Sequence, residues 1–333
     1  MNTLPLVSII VPTYNRARYV REAIESVGRQ DYPGPIELIV VDDGSTDDTS
    51  QVIQSCVREF PRLQIVEIRL DRLPRTPSAA PARNAGLHKA SGELIGFLDS
   101  DDLFDPTKLR LQVEALQAHP EANLCTCVWE WFWELPAKHT RVRGGESIQS
   151  GPLLPGYMSR EGWYFTHSAL YRRDILQAAG EWDKDSTWGD DTIFHMKVGL
   201  AGAVNIHLPG LLCSVRMHGG DSFQNSKEKH QRAEAEAVLF QCHDRIAELL
   251  RLQPAYYQVC REYLVHWYMV DVYRYIQAGF YDLARLALRR ARENEPLIFR
   301  RLRLQVVACR MRLKRWRGQL LNALGNFSER QAE

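Results

Sequence analysis

Two aspartates one residue apart, Asp99 and Asp101, follow directly on the apolar run Leu94-Ile-Gly-Phe-Leu98. Carboxylates so spaced can hold a hard divalent cation, Mn2+ or Mg2+, which in turn grips the oxygens of a diphosphate. Earlier in the chain, Tyr14 stands just after Val7-Ser-Ile-Ile-Val11, and Asp43 just after Leu38-Ile-Val-Val41. An aromatic ring and an acceptor carboxylate suit a pyrimidine base: the ring stacks on its face and the carboxylate accepts its imide N–H. A D-x-D is weak evidence by itself. A second one stands at Asp183–Asp185, and Asp105-Pro106 has the form of a helix start, where an acid serves as a cap. No G-x-G-x-x-G follows the first apolar run and no Walker lysine is present, so the phosphates are expected on a metal rather than in a glycine loop. Dinucleotide dehydrogenases and P-loop ATPases are thereby disfavoured.

The elements that must position these groups alternate. Apolar runs at 7–11, 38–41, 63–70 and 94–98 read as strands. Between them lie helical spacings at 20–27, a helix capped near Ser45/Thr46, and another over Ala82–Ala90. Strand and helix in alternation predict an α/β fold, a mostly parallel Rossmann-like central sheet flanked by helices. Ligands of such sheets bind beyond the carboxyl ends of the strands, where Tyr14, Asp43, Asp99 and Asp101 fall. Past Leu116 the pattern changes. Leu124–Leu135 alternates as a strand with an aromatic face, and a helix over Arg172–Ala179 is stopped by Gly180. Another helix starts at Asp191, strands are expected near 203–208 and 211–217, and nearly everything from Ser226 onward reads as helix.

Composition bounds the rest. With 333 residues, 45% hydrophobic and 25% charged, the chain is a folded protein and not a disordered one. Lys and Arg number 42 against 41 Asp and Glu, which excludes a chain basic throughout. That balance hides an asymmetry. Residues 296–327 hold eight basic side chains and no acidic one, leaving 34 basic against 41 acidic elsewhere. Within that segment Phe299, Leu302, Val306, Cys309, Leu313, Trp316 and Leu320 step by three and four, a basic amphipathic helix near 297–323. Such a helix reads as a surface that lies on anionic membrane, with packing on the body or on a partner as the other reading. Nucleic acid is not expected, since no binding motif accompanies the arginines. The seven cysteines show no zinc-ligand spacing and are expected to be reduced thiols. Leu4–Val11 lacks the basic flank of a signal peptide, and Val198–Val215 is interrupted by Asn205, His207 and Pro209. The expected location is therefore the cytoplasm, peripheral at the inner face of the cell membrane where the basic helix engages it.

Taken in order, four motifs resemble the family 2 inverting glycosyltransferases of GT-A fold, of the kind that build bacterial surface polysaccharides. They are Val7-Ser-Ile-Ile-Val-Pro-Thr-Tyr-Asn15, Val40-Val-Asp-Asp-Gly-Ser-Thr-Asp-Asp48, Arg83-Asn-Ala-Gly86 and Ser91-Gly-Glu-Leu-Ile-Gly-Phe-Leu-Asp-Ser-Asp-Asp102. The resemblance is close through residues 6–116 and continues loosely to about 222, through Trp188-Gly-Asp-Asp191 and Val215-Arg-Met-His218. It implies a catalytic domain over 1–222 and a helical region over 223–333. It implies Pro12, Tyr14 and Asp43 at the nucleotide base, Arg83 at the diphosphate, and Asp99 and Asp101 with His218 at the metal. Asp191 matches the second acid of the family's Glu-Asp motif, the catalytic base. Asp190 replaces the Glu, and with Trp188 it is expected on the acceptor side, as are Trp163, Tyr164 and His167.

The function this implies is metal-dependent, inverting transfer of a sugar, hexosyltransferase-type, from a nucleotide-diphosphate sugar. A UDP-sugar is the expected donor and a hydroxyl of a glycan or lipid-linked molecule the acceptor. The rival readings are a catalytically inactive relative that binds nucleotide sugar or scaffolds a complex, and a sugar-phosphate nucleotidylyltransferase. Intact Asp99, Asp101 and Asp191 speak against the first. Pro12-Thr-Tyr-Asn, which is no glycine-rich basic loop, speaks against the second.

Overall fold

A computed structural model describes residues 4–61, 63–71, 78–133, 142–159, 162–186, 189–217 and 229–294. The chain forms two compact units, Met1–Asn225 and Ser226–Glu333.

In the first unit, β1 (Val7–Thr13), β2 (Ile36–Asp42), β3 (Gln64–Arg69) and β4 (Leu94–Phe97) lie side by side and parallel, in the order β3-β2-β1-β4. β1 and β2 pair in register from Val7↔Ile36 to Thr13↔Asp42, so both strands end at one edge. β1 and β4 are buried throughout and β2 nearly so, which is why they read as unbroken apolar runs rather than alternating ones. The crossovers carry α1 (Val20–Gly28), α2 (Thr49–Glu59) and α3 (Ala80–Lys89). At the amino ends of the strands, the buried Glu37 carboxylate accepts hydrogen bonds from Ser8 and Ser91 and from the Gly92 N–H. Burial would raise its pKa, and these donors instead hold it below the ordinary value. The edge opposite the site is thus tied down by one ion.

The second half of the sheet is mixed. It is built from β5 (Leu103–Phe104), β6 (Leu124–Trp133), β7 (Val142–Gly144), β8 (Gly151–Pro152), β9 (Leu170–Arg172) and β10 (Val204–Met217), and the main path runs β3-β2-β1-β4-β9-β6-β10-β5. β9 is antiparallel to both β4 and β6. α4 (Lys108–Ala118), α5 (Leu153–Met158), α6 (Arg173–Ala179) and α7 (Asp190–Leu200) complete this unit among the described residues. Gly180 ends α6 at φ 77°, a backbone state glycine adopts without a Cβ penalty.

Two expectations are corrected. The strands read at 203–208 and 211–217 are one strand, β10, whose register against β6 shifts between Leu208 and Leu211. Pro209 has no N–H to give the ladder, so the strand bulges there and continues. Ser45 and Thr46 do not cap α2, which starts at Thr49 with the Asp47 carboxylate accepting the Thr49 N–H at 3.0 Å. They tie two strand-end loops together instead. The Asn15 N–H donates to Ser45 Oγ at 2.9 Å, and the Thr46 N–H to Asn15 Oδ1 at 2.8 Å.

The second unit is helical: α8 (Lys229–Arg251), α9 (Pro254–Ala278) and α10 (Tyr281–Asn294). α9 opens on Pro254 and closes at Gly279, φ 81°. His243 pairs with buried Asp271 at 2.6 Å, and Asp244 accepts from Tyr268 and Arg290, joining the three helices. No described helix is long and apolar enough to cross a membrane. The predicted basic helix near 297–323 lies outside the described residues, as do His218 and Trp188.

Candidate active site

The carboxyl ends of β1, β2 and β4 open onto a cavity of about 370 Å3. Pro12, Tyr14, Asp43, Arg83, Asp99 and Asp101, all singled out in the sequence, line it together. Thr13, Arg16, Ser78, Ala79, Ala82 and Ser100 complete the lining. Tyr14 is 37% exposed. Asp43 follows β2, and its N–H donates to the Thr13 carbonyl at 2.9 Å, so the ends of β1 and β2 hold both base-binding candidates.

Arg83 stands at the centre of the charge arrangement. It lies in the first turn of α3, where a helix dipole disfavours a cation, and it is 7% exposed. Two carboxylates offset both costs. Its Nη2 donates to Asp99 Oδ1 at 2.8 Å and its Nη1 to Asp190 Oδ2 at 3.1 Å, while the guanidinium lies 4.5 Å over the Trp182 ring. One side chain therefore joins the acid after β4 to the acid opening α7. Asn84, next in sequence, clamps the same connection: its amide donates to the Trp182 carbonyl at 3.0 Å and its oxygen accepts the Trp182 N–H at 2.8 Å. Trp182 then stacks on Phe194 of α7, centroids 3.9 Å apart. Gly86, one turn on, is needed because a Cβ there would lie 2.4 Å from Ile10 of β1. Each residue type in Arg83-Asn-Ala-Gly86 except Ala85 thus has a stated task.

Asp190 and Asp191 open α7, preceded by Gly189 at φ 72°. Asp190 also accepts from Ser78 Oγ at 3.3 Å, and Asp191 accepts the Thr192 N–H at 2.7 Å. Burial, and then the neighbouring Asp190 carboxylate, push the Asp191 pKa up to about 6. Asp99 moves the other way. Burial would raise it, but the Arg83 guanidinium, with His167 and Arg16 farther off, holds it below the ordinary carboxylate value.

Asp99, Asp102 and His167 bring one potential ligand atom each to within 4.8 Å of one another. His167 is 1% exposed and neither ring nitrogen has an aligned hydrogen bond, although Nδ1 lies 3.3 Å from Asp102 Oδ2. Burial depresses its pKa to about 4, so the ring is neutral and keeps a lone pair to offer. Asp102 is held protonated more readily than usual by burial and by the charges of Asp101 and Asp99. The residues present fit a divalent cation. Asp99, Asp101 and His218 are the ligands expected from the sequence. The structure gathers Asp99, Asp102 and His167, keeps Asp101 in the cavity lining 3.6 Å from Arg16, and does not describe His218. His167, expected on the acceptor side, lies with the acids instead.

Arg16 and Ser78 were missed. Arg16 stands two residues after Tyr14 in the same strand-end loop, a signal that was available in the sequence. Ser78 follows a Pro-rich stretch with nothing in its type or spacing to mark it.

The sequence profile of glycosyl transferase family 2 matches residues 8–180. The putative teichuronic acid biosynthesis glycosyltransferase TuaG of Bacillus subtilis is 40% identical over 113 residues, 34% of this chain and 42% of that protein. Two solved structures share the fold. S. aureus TarS 1-349, in complex with UDP-GlcNAc, superposes with TM-score 0.59 at 19% identity, covering 87% of this chain and 92% of that one. The mannosyltransferase PcManGT from Pyrobaculum calidifontis, in complex with GDP-Man and Mn2+, gives 0.57 at 22% identity, covering 92% and 81%. The chain spans only 15%, 44% and 58% of the length of three other curated relatives it matches. The profile covers more than half of the chain, from the first strand to the glycine that ends α6, and it takes in the whole cavity lining. This protein belongs to glycosyl transferase family 2 and has a GT-A fold.

Proposed function

We propose that the protein is a metal-dependent, inverting hexosyltransferase. It moves a sugar from a nucleotide-diphosphate sugar, UDP-linked by the pyrimidine-suited pair Tyr14 and Asp43, to a hydroxyl of a glycan or lipid-linked acceptor in surface polysaccharide synthesis. One observation carries this reading: Arg83 holds Asp99 on one side and Asp190 on the other, so the acids suited to donor phosphate and to acceptor meet beside a single cavity.

In this reading Pro12 and Tyr14 take the faces of the base and Asp43 accepts its imide N–H. Asp99, with Asp101, Asp102 and His167 around it, would hold a divalent cation. That cation supplies charge stabilisation for the departing nucleoside diphosphate. Arg83 adds its own positive charge to that side. Asp191 takes the proton of the acceptor hydroxyl as the oxygen forms its bond to the anomeric carbon and the diphosphate oxygen leaves with the bonding pair. One displacement from the opposite face inverts the anomeric centre, by analogy with inverting glycosidases. A pKa near 6 leaves Asp191 ionised at neutral pH, yet basic enough to accept that proton. Asp190, tied to Arg83 and Ser78, positions the start of α7.

Screening nucleotide sugars for thermal stabilisation with and without Mn2+ tests the donor. The right one, at a hundred times its Kd, adds about 2.7 kcal/mol of apparent stability, and does so only with metal. No stabilisation by any nucleotide sugar would overturn the reading. We further propose that residues 223–333 serve attachment rather than chemistry, with the basic segment near 297–323 lying on an anionic membrane where lipid-linked acceptors reside.

A further inference from the structure

The acidic loop after β4 is fastened from far along the chain. Arg216, next to last in β10, is 7% exposed. Its N–H donates to Asp102 Oδ1 and its Nε to the Asp101 carbonyl, each at 2.7 Å. Its Nη2 donates to Glu22 Oε2 of α1, also at 2.7 Å. The guanidinium lies between the rings of Tyr19 and Phe132, 5.0 and 4.8 Å from their centroids. The strand that follows the loop, β5, pairs with β10 through Cys213↔Phe104 and Ser214↔Leu103, and the next N–H, of Asp105, donates to the Leu212 carbonyl at 2.9 Å. Within the loop the Asp102 N–H donates to the Asp99 carbonyl at 3.0 Å, and the Arg216 side chain adds a tie to the Asp101 carbonyl between them.

We propose that Arg216 is a positioning residue for glycosyl transfer: anchored by Glu22, its side chain fixes the Asp101 backbone carbonyl, and so sets the direction in which Asp101 meets the cation and the diphosphate. The proposal rests on the donor and metal reading above. Arg216 itself is absent from the cavity lining and acts through the loop it holds. A lysine cannot reproduce the arrangement, because one ammonium on a flexible stem does not hold a carbonyl and a carboxylate in a planar fork. Glu22 is half exposed, so its neutral variant removes the outer anchor without leaving a buried void.

The test compares wild type, Arg216→Gln, Arg216→Lys and Glu22→Gln, each first checked for folding by its thermal midpoint. Calorimetry measures UDP and GDP binding with and without Mn2+, and ligand-observed NMR measures uridine binding. Both Arg216 variants are expected to lose about tenfold or more of the metal-supported nucleotide affinity, and Glu22→Gln about threefold, as for charge-assisted hydrogen bonds. Uridine affinity is expected within about twofold of wild type, because the base pocket is untouched; a merely destabilised fold would lower both together. Metal-supported binding unchanged in folded Arg216 variants would overturn the role of Arg216 alone. Absence of metal-supported binding in the wild type would overturn the donor reading, and with it this role.

Discussion

Asp191 and Asp99 carry the same group, and their surroundings shift it in opposite directions. Burial and Asp190 raise the pKa of one to about 6, while Arg83 overrides burial and lowers the other. The sign for activity follows. If Asp191 is the base it must be ionised, so turnover is expected to be full well above pH 6 and to fall by half near pH 6, well above the ordinary aspartate value. A kcat–pH profile whose acid limb lies near 4 would contradict the role. Asp191→Asn, which keeps the shape and removes the base, is expected to lower kcat by about 10²–10⁴ while leaving donor affinity intact. Single-turnover kinetics together with donor titration check both halves of that statement. Tyr14, Asp43, Asp99 and Asp101 were legible because each follows an apolar run, and parallel topology alone brings such positions together. His167 beside Asp102 was not legible, since 65 residues separate them and only the antiparallel insertion of β9 closes that distance. The side chain of Asp102 is likewise turned to β10, which lies beyond any local pattern.

At the scale of elements, α3 is the part whose packing the site depends on most. It carries Arg83 and Asn84 and presses Gly86 against Ile10 of β1. Gly86→Ala is expected to destabilise the protein by about 1–3 kcal/mol through overpacking, read as a lower thermal midpoint. The same substitution moves the Arg83 end of the helix, so kcat is expected to fall in the folded fraction as well. An unchanged midpoint would mean that the helix shifts freely and is no fixed platform. The parallel half of the sheet was readable since its strands are buried, uninterrupted and separated by helices. The other half was not. β5 and β9 are two and three residues long, too short for a period to show, and β10 was split by Pro209 although its partner β6 runs on beside the bulge. Ser45 and Thr46 have the composition of helix caps, yet they bond to Asn15, because the two loops they bridge meet only once β1 and β2 pair.

The whole molecule carries a near-neutral sum that conceals a division. Residues 296–327 contribute eight positive charges and no negative one, while the remainder is net acidic. If that segment lies on membrane, the full chain co-sediments with vesicles containing phosphatidylserine at low salt and is released at about 1 M salt, where screening acts within about 3 Å. Equal binding to neutral vesicles would contradict an electrostatic attachment. The chemistry assigned to the first unit is independent of that outcome and rests on a single displacement directed by Asp191. Its most direct test is proton NMR of the anomeric centre during turnover, with the donor found by thermal screening and a simple hydroxyl acceptor. The first-formed product is expected to carry the anomeric configuration opposite to that of the donor. A first-formed product with the donor's own configuration would contradict it.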